Sequence, residues 1–487
     1  MVGPFSFRFL NRTHSLTESR GWEDLDSEKL WLYNLHYFDD LNADNAQERT
    51  RWHRDLINRW ILENEPGEGT GWEPYPTSLR IVNWIKWSLA GNPLEPEWLH
   101  SLAIQARWLR RRVEWHLLGN HIFSNAKALV FAGLFFSGPE AAKWLSTGLR
   151  ILEREMPNQI LPDGAHFELS PMYHALIFED MLDLSNLARV YPNDDKTLES
   201  AQGKMHDHLS PMLFWLRCMT HSRGTLAHFN DTADGIAPAN TEIERYARDL
   251  GIEAPYPPTV GTTWFKHSGY VRLASSPTTV IVDVGHVGPD YLLAHAHADT
   301  LSFELSVGRE LVVVNGGVSC YEKSAQRHLE RGTASHSTVQ IGDHDSSEVW
   351  NSFRVGRRAK PFDVTVDDCK VTASHNGYRH LSGSPTHKRM WTVDGDSLIV
   401  EDWVAPSQEI ATARFHFAPV LTLQPFADSG WEIVSQTKKI AIIRVDEGEG
   451  VLTNSQFAPE FGKKVSTCCL RVRLTHGRAK TVISWNP

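Results

Sequence analysis

The stretch Ala254-Pro255-Tyr256-Pro257-Pro258 separates two halves of this chain that have different hydrophobic rhythms. Three prolines in five residues read as a stiff linker. Upstream of it, apolar residues recur at helical spacing: Leu79, Val82, Ile85, Trp87 and Leu89, then Ile122 to Phe136, then Leu176 to Val190. Pro and Gly punctuate these runs at Glu65-Pro66-Gly67, Asn92-Pro93, Ser137-Gly138-Pro139 and Tyr191-Pro192, as in helices joined by short loops. Downstream, short alternating runs rich in Val, Thr, Ile and Phe take over. They include Gly269 to Leu273, Thr279 to Val284, Leu311 to Val314, Ser397 to Val404, Ala411 to Phe417 and Ile440 to Val445. Such runs predict antiparallel sheets packed as a sandwich. The expected architecture is α + β: a helical domain over residues 1–258 and an antiparallel β-sheet domain over residues 259–487.

Composition narrows the function. At 487 residues the chain can build two or three domains with ample cores. The net charge of -10 argues against nucleic acid as a partner. A polyanionic ligand would need a local basic cleft, for which Arg107, Arg110, Arg111 and Arg112, or Arg354, Arg357 and Arg358, are candidates; solvated faces account for most of them. The five cysteines form no C-x-x-C pair, and the odd count argues against a disulfide framework. No apolar run reaches the roughly eighteen residues of a membrane span. The first eleven residues lack the order of a signal peptide. That leaves a cytoplasmic protein, or a periplasmic or secreted one whose leader has been removed. Of 18 tryptophans, packing between helices explains most, while Trp72 and Trp115 lie near polar motifs and are candidates for stacking on sugar rings.

Within the β half, Ala294-His295-Ala296-His297-Ala298-Asp299 stands out. On a strand, His295 and His297 project to one face. Two imidazoles side by side on a half-buried surface need a metal, an anionic substrate or a proton-transfer role; hydrogen-bonded structural histidines are the plain alternative. Asn315, in Val-Val-Val-Asn-Gly-Gly, and His336, in Ala-Ser-His-Ser-Thr-Val, sit at other strand ends that can converge on the same point.

The helical half carries three polar constellations. Gly119-Asn120-His121-Ile122-Phe123-Ser124-Asn125 opens an otherwise apolar helix, with Asn120 as a plausible N-cap and His121 and Asn125 one turn apart. Asp163 to His174 contains Glu168 and the order Ser170-Pro171, a cap followed by Pro at a helix start, which puts Tyr173 in the first turn. The positive end of the helix dipole there favours a tyrosinate, whose reference pKa is about 10. A packed core tyrosine is the alternative. In Trp72 to Arg80, Arg80 could bind a carboxylate bidentately or bridge two helices.

Asn120-His121 before an apolar helix, His166-Phe-Glu-Leu-Ser-Pro-Met-Tyr-His174, His295-Ala-His-Ala-Asp299 and Arg331-Gly-Thr-Ala-Ser-His336 together resemble the heparinase II/III-type polysaccharide lyases and their alginate-lyase relatives. The resemblance covers nearly the whole chain to about residue 360, and more weakly beyond. It implies an α/α toroid followed by antiparallel β-sheets, and β-elimination at a uronic acid of an acidic polysaccharide. It further implies that Asn120 and His121 bind the uronate carboxylate, that Tyr173 exchanges the C5 and O4 protons, and that His295 is its partner. Arg80, Asn125, Trp72, Glu168 and Tyr321 become substrate-binding candidates, with Tyr321 also an alternative acid. His297, Asn315 and His336 match positions where relatives hold a metal. The expected ion is zinc, with manganese or calcium next, in a structural role, and no organic cofactor is expected. Relatives commonly carry Asp at the position of Asn315, and an amide oxygen is the weaker, uncharged ligand. Two other classes compete: a non-catalytic polysaccharide-binding or exopolysaccharide-processing protein, and a metal-dependent glycan hydrolase.

Overall fold

The computed structural model of the protein describes residues 1–17, 19–24, 27–191, 196–426 and 429–485. It falls into two compact units, Met1–Gln159 with Glu179–Leu209, and Ile160–Phe178 with Ser210–Pro487.

The first unit is helical. Pro74, Pro96 and Pro139 each open a helix (Pro74–Leu89, Pro96–Arg111, Pro139–Gln159), at positions where a missing N–H loses no hydrogen bond. The helix Gly119–Phe135 is buried over most of its length and packs against both Pro74–Leu89 and Pro139–Gln159. Two glycines allow the second of these contacts. A Cβ on Gly133 would lie 2.5 Å from Leu145 N, and one on Gly148 would lie 2.7 Å from Ala126 O. Asn120 is not the cap of this helix. The cap position belongs to Leu118, whose φ of 59° bends the chain sharply into Gly119, and Asn120 is already helical.

The second unit holds two antiparallel sheets. In spatial order, one runs Glu449–Glu460, Lys463–Arg473, Ala411–Phe417, Glu310–Val314, Phe303–Val307, Thr278–Asp283, Tyr270–Ser275 and Val260–Phe265, with Val339–Ile341 paired to Ala411–Phe417. The other is eight-stranded, from Pro361–Asp367 at one edge to Leu421–Phe426 at the other. Their facing side chains form one core, with Val280, Phe303, Leu305 and Phe415 from the first sheet and Trp391, Leu398, Val400 and Ile443 from the second. The strands Thr386–Asp394 and Ser397–Ala405 alternate buried and less buried residues along most of their length, the period-two pattern of a sheet with one wet face. Each fully buried Leu, Ile or Phe contributes about 1.5–3 kcal/mol.

The compact units do not divide where the composition changes. Ile160–Phe178 and the segment after Ser210 pack on the first strands, because Leu169, Trp215, Met219 and Phe229 share a core with Phe265, Tyr270 and Ile281. A second departure concerns Ala294–Asp299, which is loop rather than strand. Its backbone bonds to another loop and to a helix end: Asp231 N donates to His295 O at 3.1 Å, His297 N to Asn230 Oδ1 at 3.0 Å, and Ala298 N to Arg331 O at 2.9 Å. Among the described residues, no helix is long and apolar enough to cross a membrane.

Candidate functional site

In the second unit, Ser170 caps the helix Pro171–Val190, accepting from Tyr173 N at 3.2 Å while its hydroxyl donates to Asp231 O at 2.7 Å. Tyr173 therefore stands in the first helical turn. Its hydroxyl lies 3.0 Å from that of Tyr321, and its ring lies against His295 with centroids 4.0 Å apart. Burial and then the charge of Asp231 push the Tyr321 hydroxyl well above its ordinary range, so Tyr321 keeps its proton and can donate it to the Tyr173 oxygen.

Asp231 organises this cluster. Its Oδ2 accepts from His295 Nδ1 at 2.9 Å and its Oδ1 from His297 Nε2 at 2.8 Å. Arg327 grips both oxygens at 2.5 and 2.7 Å. Burial alone would raise the Asp231 carboxyl, but Arg327 and the imidazoles outweigh it and hold it well below the carboxylate range. With Nδ1–H of His295 committed to Asp231, Nε2 is left for proton exchange, and Glu168 Oε2 lies 3.4 Å from it.

The remaining nitrogens of His297 and His336 meet differently. His336 Nδ1 donates to Gly332 O at 2.8 Å, just as His297 Nε2 donates to Asp231. Their other nitrogens, His297 Nδ1 and His336 Nε2, then carry lone pairs that face each other across 3.1 Å. Only a shared proton or a cation relieves that arrangement. Burial lowers both imidazoles, His297 to about 3, which disfavours the proton. Asn315 lies one residue beyond the strand Glu310–Val314, its Oδ1 accepting from Ser337 N at 3.0 Å while its buried Nδ2 meets no acceptor. Among the described residues, no group of three or more His, Cys, Asp or Glu side chains is placed to hold a metal ion. The facing donors here are two imidazole nitrogens.

A second buried chain of the same residue types lies between the sheets. Gly377 N donates to His375 Nδ1 at 3.1 Å, and His375 Nε2 lies 3.1 Å from His387 Nδ1. His387 Nε2 reaches Asp402 Oδ1 at 2.8 Å, and Arg389 grips both Asp402 oxygens at 2.7 and 3.0 Å.

The first unit assembles the other polar motif. His121 Nδ1 donates to Glu114 Oε1 at 3.1 Å and its ring stacks on Tyr75 at 4.4 Å, while Asn120 Nδ2 reaches the Tyr75 hydroxyl at 3.5 Å. Asn125 is fully buried and clasps Glu114, accepting from its backbone N at 2.9 Å and donating to Oε2 at 3.1 Å. It holds the His121 partner in place rather than facing a ligand. Arg80 is fully buried as well, bonded to Gln105, His36 O and Thr77 and stacked 3.9 Å from the Trp60 ring, so it bridges helices. Burial lowers it well below its ordinary value. Trp72 is a core residue, 3% exposed, with its N–H on Asn64 O. Trp115 is half exposed, with the Arg154 guanidinium over its ring. Glu168 is buried beside His295.

Sequence reading missed Asp231, Arg327, Glu114 and Tyr75. Arg327 and Arg331 are four residues apart on the short helix Ala325–Arg331, a spacing that could have flagged them as a pair. Asp231 gave no local signal, since its partners lie 64 to 96 residues away.

A helical N-terminal half and a C-terminal pair of antiparallel sheets, with Tyr, His and carboxylate gathered at a helix start, define the helical-toroid and β-sandwich class. Residues 43–246 match the heparinase II/III N-terminus and residues 257–486 the heparinase II/III-like C-terminal domain. The chain belongs to the heparinase II/III family. It is 24% identical over 444 residues to a heparin-sulfate lyase of Bacteroides stercoris, covering 80% of this chain and 64% of that protein. It is 26% identical over 398 residues to the FtsZ-localized protein C of Caulobacter vibrioides, covering 77% and 65%. The crystal structure of heparinase III superposes with a TM-score of 0.77 at 19% identity, over 96% of this chain and 80% of that one. The chain thus spans less than two thirds of the length of these two relatives.

Proposed function

We propose that the protein is a polysaccharide lyase that cleaves a uronate-containing polysaccharide by β-elimination. The observation that carries this reading is the Tyr173 phenol, set at a helix start with the Tyr321 hydroxyl at 3.0 Å and the His295 ring beside it. Elimination removes the C5 proton, moves that electron pair into a C4–C5 double bond and expels O4, which leaves protonated. A phenolate at Tyr173, stabilised by the Tyr321 O–H and the helix dipole, takes the C5 proton, and the phenol returns a proton to O4. His295 Nε2 serves as the partner that loads and unloads Tyr173, with Glu168 beside it to balance an imidazolium. Asn120 and His121 are the candidates for binding a uronate carboxylate, whose neutralisation makes a C5 proton acidic enough to leave. The substrate class is a glycosaminoglycan, alginate or related exopolysaccharide.

The facing lone pairs of His297 and His336 fit one divalent cation, zinc first, with Asn315 as the candidate third ligand. Such an ion would tie one loop to another; the elimination has no need of metal-activated water. The second reading, a family member that binds glycan without turnover, draws on the relative named for FtsZ localisation rather than for a reaction.

Incubation with heparan sulfate, chondroitin sulfate, hyaluronan and alginate tests the proposal. A lyase yields an unsaturated product absorbing in the far ultraviolet. New reducing ends without that chromophore, lost on chelation, would make it a hydrolase. Neither signal on any of the four sinks turnover.

A further inference from the structure

A short hairpin, Val349–Trp350 paired with Arg354–Val355, is anchored in an unusual way. The backbone of its tip is held by two fully buried guanidinium groups. Arg327 Nε donates to Ser352 O at 3.0 Å, and Arg331 Nη1 to Asn351 O at 3.3 Å and Ser352 O at 3.1 Å. Arg327 also grips Asp231, so one rigid planar group fixes the tip relative to the carboxylate that orients His295. Of the tip residues, Asn351 and Phe353 are exposed. Phe353 is 40% exposed, and its ring centroid lies 6.0 Å from that of His295 and 5.4 Å from that of Tyr321. Both neighbours meet it edge-on, at 79° and 69°. Leaving a phenyl ring in water while two buried arginines position its loop makes sense if the ring has a ligand.

We infer that Phe353 is the floor of a sugar subsite beside Tyr173 and His295, where the C–H face of a pyranose of the uronate polymer stacks on the phenyl ring. The inference rests on the lyase reading for the identity of the polymer, and on the hairpin geometry alone for the stacking. An indole at this position would serve as well; an aliphatic side chain would not, because it offers no flat π face.

The test compares wild type with Phe353→Ala, Phe353→Leu and Phe353→Trp. It uses heparan sulfate cleavage kinetics and affinity electrophoresis through gels containing heparan sulfate, hyaluronan or alginate. The Ala and Leu variants should raise KM about tenfold with kcat held within about threefold, and lose gel retardation, whereas Trp restores both. Leu keeps the volume, so a folding defect confined to Ala leaves the test intact. Wild-type retardation without unsaturated product would end the lyase reading, and the subsite would then stand or fall on the retardation of the variants. Retardation of the Leu variant equal to wild type, a loss of kcat instead of KM, or no wild-type retardation in any gel would overturn the subsite.

Discussion

The chains His336–His297–Asp231–Arg327 and His375–His387–Asp402–Arg389 use the same residue types at nearly the same distances. Each has an imidazole pair 3.1 Å apart, an imidazole 2.8 Å from a carboxylate, and an arginine gripping both carboxylate oxygens. They differ in the group at the far end. A backbone N–H faces His375 Nδ1, so each nitrogen in that chain alternates acceptor and donor down to Asp402. A backbone carbonyl faces His336 Nδ1, so the count fails by one proton, and two lone pairs confront each other. One peptide group, turned one way or the other, separates a satisfied structural relay from a cradle for a cation. Residue types and spacings alone do not distinguish the two; proton bookkeeping does.

The sharpest way to break this comparison is to ask which chain serves chemistry. Tyr173→Phe should lower the rate of unsaturated-product formation by about a thousandfold or more, with a circular dichroism spectrum unchanged. Comparable turnover would remove the phenol from the proposed reaction. Next come the two carboxylates. Asp231→Asn and Asp402→Asn each leave a buried arginine unpaired, which costs about 3–5 kcal/mol in denaturant unfolding. At temperatures where both remain folded, only Asp231→Asn should lose activity.

The cation hypothesis separates the chains further. His297→Ala should abolish zinc retention measured by elemental analysis, and chelation should lower the melting temperature of the wild type. His387→Ala should leave zinc content unchanged. Acid adds a test of sign. His297 titrates at about 3 when folded against 6.5 ordinarily, so between those values the unfolded chain binds the extra proton. Stability is therefore full above pH 6.5 and falls toward pH 3, by about 1.4 kcal/mol per pH unit for one such group. His387 is shifted in the same direction. Added zinc should steepen the fall in wild type and His387→Gln, but not in His297→Gln. The smallest effect is expected from Asn315→Asp, which replaces a neutral ligand oxygen by a charged one. Chelator competition should show zinc held roughly tenfold tighter, while the metal-free variant loses stability through an unpaired buried charge.

The sequence exposed the large divisions because periodicity is local. Helical spacing before the proline link and alternation after it correspond to the helices and sheets seen, and Ser170-Pro171 signalled its helix start. Alternation misled at Ala294–Asp299, where Ala and His simulate a strand although the backbone pairs with loops and a helix end. The two imidazoles nonetheless reach one carboxylate from that loop. Arg80, Trp72 and Asn125 lie buried, which residue type could not reveal, because it says what a side chain can bond but not whether water reaches it. Asp231 was illegible, since its meaning is assembled from residues far along the chain.

The Ser170 hydroxyl has a last consequence. One oxygen caps the helix that carries Tyr173 and also latches onto the peptide of Asp231. A single rotor is thus a mechanical joint between phenol and carboxylate, and fraying at that helix end would shake both loose together. Threonine at this position keeps the joint, whereas alanine uncouples the two halves of the proton path without touching either.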